Sequence, residues 1–253
     1  MLIKTIKTEL LTTYVYDSRV DMGQAAGAAA AKAINEIIEK KGYANVIFAA
    51  APSQNETLAA LLAENVDFSK VHAYHMDEYA GLSIEDEQSF ARYLHDHIFS
   101  LAPFASVNYL PAKLEADEAS ETYSELLRKN PPDVVCMGIG ENGHIAFNDP
   151  PVADFHDNKL VKKVALDDVC RMQQVHDGCF PTFDDVPEFA LTLTVPALMS
   201  AKYLICTVPA PTKANAVKAM LEGEYGESCP ATALRKHKGA AMFLDQDSAA
   251  KVL

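Results

Sequence analysis

What most constrains the fold of this chain is the return of a short apolar run after each helical stretch. The runs "ANVIFAAAP" (44–52), "DVVCM" (133–137), "KYLICTVP" (202–209) and "GAAMFLD" (239–245) are nearly free of charge. A strand buried on both faces requires such a run, whereas a strand with one wet face alternates polar and apolar residues. Helical segments of ten or so residues separate them. One runs from about Asp21 to Lys41, opened by the pair Asp21 and Gln24 and closed by Gly42. A second, "SQNETLAALLAEN", opens on a capping box of Ser53 and Glu56. Others are expected over about 89–100, over "DEASETYSELLRKN" as far as Pro131 and Pro132, and from Pro211-Thr212-Lys213 to about Glu222. The segments "VHAYHMDEY", "VNYL" and "FALTLTVPALM" read as further strands. Strands alternating with helices predict an α/β fold: a three-layer sandwich with a mainly parallel central sheet, Rossmann-like. At 253 residues and 49% hydrophobic content the chain suits one catalytic domain, 1–253. Residues 150–188 are too long for an ordinary connection and are expected to form a lid or an antiparallel excursion.

Several classes of function are disfavoured. A net charge of -13, with no Lys/Arg run to offset it, argues against a nucleic acid partner. No apolar run approaches the roughly 20 residues of a membrane span, and the first residues lack the apolar core of a signal peptide, so no membrane partner is expected. Five cysteines, odd in number and without a CxxC pair, suit free thiols in a reducing compartment, hence a cytoplasmic location. No metal site is expected: His95 and His97 are two apart on a helix, and His72 and His75 fall on opposite faces of a strand. A homo-oligomer is compatible with the sequence.

Parallel strands deliver their C-terminal loops to one edge, where ligands bind in open α/β sheets. The loops "AAAPSQNE", "HMDEYAGL" and "GIGENGHIAFND" are rich in polar residues, so Ser53, Asp77, Glu78, His144 and Asp149 are candidates to converge. Gly140 and Gly143 would let a ligand approach the main chain closely. An aspartate and a histidine in one cleft can share acid and base duties. Asp77 as a helix cap or loop ion pair is the plainer reading. Lys213, in the first turn of a helix, faces the positive end of the helix dipole; either a bound phosphate offsets this or the side chain swings into solvent.

The segments "HMDEYAGL", "MGIGENGHIAFNDP", "ALTLTVPALM", "PTKANAVKAML" and "CPATALRKH" resemble, in order and separation, those of the glucosamine-6-phosphate deaminase (isomerase) family over nearly the whole chain. The resemblance implies conversion of an amino-sugar phosphate, glucosamine 6-phosphate, and water to fructose 6-phosphate and ammonium, with no cofactor. It implies that Asp77 moves the proton between C2 and C1, that His144 assists ring opening, that Asn142 and Asp149 orient and polarise His144, and that Lys213 holds the phosphate. Asn142 stands where aspartate is common in the family, and Asp149 where glutamate is usual. The loop "APSQNET" replaces one usually rich in Gly and Thr, and Arg171 is the one candidate for an arginine expected before "FALTLT". Alternatives are 6-phosphogluconolactonase, which shares the fold and a Gly-x-Asp-Gly-His loop, and a non-catalytic sugar-phosphate sensor.

Overall fold

In the computed structural model, which describes residues 1–253, the apolar runs pair into an eight-stranded sheet. Its strands are β1 (Leu2–Thr8), β2 (Leu11–Tyr16), β3 (Ala44–Phe48), β4 (Val71–His75), β6 (Ser106–Asn108), β7 (Val134–Met137), β10 (Tyr203–Val208) and β11 (Ala240–Asp245). Their order is β1-β2-β11-β10-β7-β3-β4-β6, parallel from β2 to β6, with β1 antiparallel at one edge. A smaller antiparallel sheet, β5-β9-β8, is built from Asp77–Tyr79, Phe189–Leu193 and Val161–Ala165.

Alternate residues of the central strands feed two separate cores, as the period-two geometry of a strand requires. On β7, Val134 and Cys136 join one core while Val135 and Met137 join the other. The first core packs under α1 (Arg19–Lys41), α2 (Asn55–Ala63) and α3 (Phe90–Leu94). The second packs under α4 (Ala116–Lys129), α6 (Val195–Met199) and α7 (Ala214–Glu222). One further helix, α5 (Asp168–His176), follows β8. The parallel sheet with helices on both faces is the architecture expected from the sequence.

Local details differ. The Ser18 hydroxyl, not Asp21, caps α1, accepting from the Asp21 amide at 3.1 Å. The Ser53/Glu56 capping box does not form: Pro52–Gln54 makes a 3-10 turn, and Glu56 Oε1 instead lies 2.8 Å from Arg19 Nε. "FALTLTVPALM" divides at Thr194, whose hydroxyl caps α6, so only its first half is a strand. That strand and "DEY" leave the central sheet for the small one.

The chain places β3, β4 and β6 successively outward on one side, then returns to lay β7 on the other side of β3. The direction of winding therefore reverses between β3 and β7, and such a switch point opens a crevice beyond the carboxyl ends of the strands.

Candidate active site

An open cleft occupies that crevice. The loop after β3 contributes Ala49–Gln54, β5 contributes Asp77, and the loop after β7 contributes Gly138, Ile139, Gly140 and His144. Opposite them stand Gln173, Gln174 and Asp177 from α5 and its end, and Lys213 from the turn before α7. Ser53, Asp77, Gly140, His144 and Lys213 thus meet in one cleft although 160 positions separate the first from the last.

The glycine loop holds His144 in a fixed pose. The Asn142 side-chain oxygen accepts from the His144 amide at 3.0 Å, and Asn142 Nδ2 donates to Asp149 Oδ1 at 2.9 Å. That same Asp149 oxygen lies 2.8 Å from His144 Nδ1, leaving Nε2 for the cleft. A Cβ on Gly140 would fall 2.1–2.4 Å from the imidazole, so only glycine lets the ring pack flat against this loop. Gly143 adopts φ +86°, in the left-handed region that favours glycine, and turns the chain beside Cys229. Asn142 and Asp149 stand behind His144 and do not line the cleft.

Electrostatics separate the two carboxylates. Burial, the largest influence, pushes the Asp149 carboxyl up, but contacts with His144, Asn142 and Cys170 together outweigh it and hold the group below its ordinary value. The Asp77 carboxyl is driven well above its ordinary value by burial, then by Glu78 and Asp149. One cleft thus offers a carboxylate kept ionised beside a histidine and a second carboxyl suited to taking up a proton.

Lys213 is 5% exposed, and its ammonium forms neither a hydrogen bond nor an ion pair within the chain. Burial lowers its pKa, while Asp177 and Glu141 act in the other direction. It is the one lysine or arginine lining the cleft. A buried cation without a close partner is costly, and an incoming anion removes that cost.

Two expected contacts with substrate are corrected. Glu78 is fully buried and turned from the cleft: its carboxylate accepts from the amides of Tyr79, Phe90 and Ala91 at 2.8–3.1 Å, capping α3. Burial pushes its pKa up to about 7 against those three amides. Arg171 donates to the carbonyls of Phe183 and Val186 at 3.0 and 2.9 Å and stacks on the Phe183 ring, pinning the loop before β9. Glu56, at the start of α2, is paired with Arg19.

Sequence reasoning missed Gln54, Gln173, Gln174 and Asp177. The last three follow helical spacing with Cys170 and form a polar stripe, buried at Gln173 and Gln174 and half-buried at Asp177, a signal hidden by the weak apolar periodicity of α5. It also missed a trio of potential metal ligands, His144, Asp149 and Cys170, whose ligand atoms lie within 4.8 Å of one another. The Cys170 thiol is pushed well up by burial and then by Asp149 and Asp167, which keeps its ligand form, the thiolate, scarce.

Comparison with known proteins gives the family and supports the fold. The profile of a family described as glucosamine-6-phosphate isomerases/6-phosphogluconolactonase matches residues 17–243. The chain belongs to this family. A curated member, the glucosamine-6-phosphate deaminase of Bacillus cytotoxicus, is 33% identical over 231 residues, 90% of this chain and 86% of its own. A solved structure described as a monomeric glucosamine-6-phosphate deaminase superposes with a TM-score of 0.87 at 27% identity, covering 94% of this chain and 99% of that one. The 6-phosphogluconolactonase of Thermotoga maritima, at 20% identity and a TM-score of 0.75 over 93% and 99% of the two chains, shares the fold. Family membership fits a mixed α/β enzyme of sugar-phosphate metabolism, and no helix is long and apolar enough to cross a membrane.

Proposed function

We propose that this chain is a glucosamine-6-phosphate deaminase, converting glucosamine 6-phosphate and water to fructose 6-phosphate and ammonium. The observation that carries the reading is the facing of Asp77, with its raised pKa, and the His144–Asp149 pair across a cleft closed by the buried cation of Lys213. His144 takes the proton of the C1 hydroxyl and returns one to the ring oxygen, opening the sugar to its aldehyde. Asp149 supports the imidazolium formed in between, and Asn142 holds both partners in register. Asp77 removes the C2 proton as O1 gains one, giving an enolamine, and returns a proton to C1. The C2 iminium so formed adds water and expels ammonia. Lys213 and Ser53 take the phosphate.

The raised basicity of Asp77 suits this task, since a carbon acid beside a carbonyl gives up its proton poorly to an ordinary carboxylate. The reading also carries finer expectations: action in amino-sugar catabolism, including that of N-acetylglucosamine, and a cytoplasmic location. The deciding measurement is ammonium release from glucosamine 6-phosphate, with 6-phosphogluconolactone hydrolysis as the competing assay. Release of ammonium with stoichiometric fructose 6-phosphate is expected. Lactone hydrolysis without ammonium would replace this reading with that of a lactonase.

A further inference from the structure

The polar stripe of α5 has no part in the reaction as written above. Gln173 is satisfied within the chain, its Oε1 accepting from the Glu141 amide at 2.8 Å and its Nε2 donating to Asp177 at 3.2 Å. Gln174 is not. Its Oε1 accepts from the Tyr79 hydroxyl at 2.7 Å, while its Nε2 donates to no group of the chain, although the residue is 5% exposed and lines the cleft. The Tyr79 hydroxyl, fully buried, has no other acceptor. Its hydrogen therefore fixes the amide, oxygen toward the tyrosine and nitrogen toward the cleft. The nitrogen is not among the chain's buried unpaired atoms: it reaches the open cleft as an unpaired donor, available to a ligand oxygen.

The position of this donor says which part of a ligand it meets. Tyr79 and Asp77 are two residues apart on β5 and share a face of the strand. The Tyr79 ring packs on Phe90 and Phe147, which also line the cleft. Lys213 comes from the loop after β10, on the opposite side of the switch point from β4. Through Tyr79, Gln174 is tied to the strand that carries Asp77, whereas the cation enters the cleft from the loop after β10.

We infer that Gln174 is a specificity-determining residue that donates its free amide hydrogen to a hydroxyl of the bound sugar, with Tyr79 as its positioning residue. This rests on the reading of the cleft as a sugar-phosphate site. A site built to bond a hydroxyl rejects ligands that lack it far more strongly than an apolar pocket can.

The test is calorimetric titration of fructose 6-phosphate and of inorganic phosphate into the parent, Gln174→Glu, Gln174→Leu and Tyr79→Phe. Gln174→Glu is isosteric and keeps an acceptor for Tyr79 while removing the donor, inorganic phosphate reads out the effect of its added charge, and Gln174→Leu removes the donor without that charge. Both Gln174 variants should weaken fructose 6-phosphate about ten- to hundredfold and leave inorganic phosphate within about twofold. Tyr79→Phe should give a smaller loss, about three- to tenfold, confined to the sugar phosphate. Equal losses on both ligands, or undiminished binding of fructose 6-phosphate by Gln174→Glu, overturn the assignment. A parent that binds both ligands but releases no ammonium overturns the deaminase reading alone, because the binding contrast still decides Gln174. A parent that binds neither overturns both.

Discussion

At the scale of single residues, what distinguishes Asp77 from its neighbour Glu78 is the direction in which each side chain leaves a three-residue strand. Asp77 faces the cleft, so Asp77→Asn, nearly isosteric, should lower the rate of ammonium release by about a hundredfold or more while the thermal midpoint is preserved. Near-parental turnover would remove Asp77 from the mechanism. Glu78 faces the start of α3 and bears on stability instead. Its pKa is raised on folding, from the ordinary 4.5 to about 7. Its contribution to stability is therefore fully present below about 4.5 and is lost as pH rises through about 7. Urea unfolding from pH 5 to 8 should show a steeper fall for the parent than for Glu78→Gln, whose side chain does not titrate; parallel profiles would contradict this. Sequence alone could not separate these two acids. A turn signal marks where a strand ends, but a one-residue change of register reverses the face. The same limit applies to Arg171, legible as a conspicuous cation and occupied by the Phe183 and Val186 carbonyls. His144 was more legible, because three glycines leave few other purposes for the loop that carries it.

At the scale of elements, the parallel core was readable because runs such as "ANVIF" and "YLICTV" are buried on both faces. The hairpin of β1 and β2 was not: β1 is an edge strand, largely exposed, and its "LIKTIKT" meets no apolar criterion. Nor did the apolar content of "FALTL" disclose that it pairs antiparallel outside the main sheet, since burial on both faces carries no information about strand direction. The contact between α1 and α2 depends on a feature visible only in three dimensions. Gly23 and Gly27, one helical turn apart, lie against Glu56 and Ala60, where an added Cβ would sit 2.3 and 2.5 Å from theirs. Gly27→Ala gains about 1 kcal/mol of intrinsic helix propensity, but the overlap with Ala60 and the Leu61 amide should reverse the sign. A net destabilisation of about 1–3 kcal/mol by urea titration is expected. Any gain in stability would mean that α2 moves away freely. Because α2 begins just after the loop carrying Ser53, the same variant should weaken phosphate binding more than a surface substitution of equal cost.

At the scale of the whole molecule, one buried charge links fold stability to ligand. Lys213 lies in the interior of a protein of net charge -13, without a close partner, and burial lowers its pKa. A folded state that keeps this ammonium is less stable than one that replaces it by an apolar side chain of similar length. Lys213→Met should therefore raise the thermal midpoint in phosphate-free buffer, by about 2–4 °C if the gain is near 1 kcal/mol in a chain of this size. With ligand the order should reverse. Inorganic phosphate at about 100 times its dissociation constant stabilises the parent by about 2.7 kcal/mol, and the variant, without the cation, should gain little. Loss of one charge-assisted contact weakens affinity by roughly ten- to a hundredfold. Two melting curves for each protein, with and without phosphate, check both halves. If Lys213→Met instead melts lower than the parent in phosphate-free buffer, then Asp177 and Glu141, which act to raise the lysine's pKa, already balance its charge. The cleft would then hold a resting ion pair that substrate must displace, and affinity for phosphate would be limited by that exchange rather than by an unpaired cation.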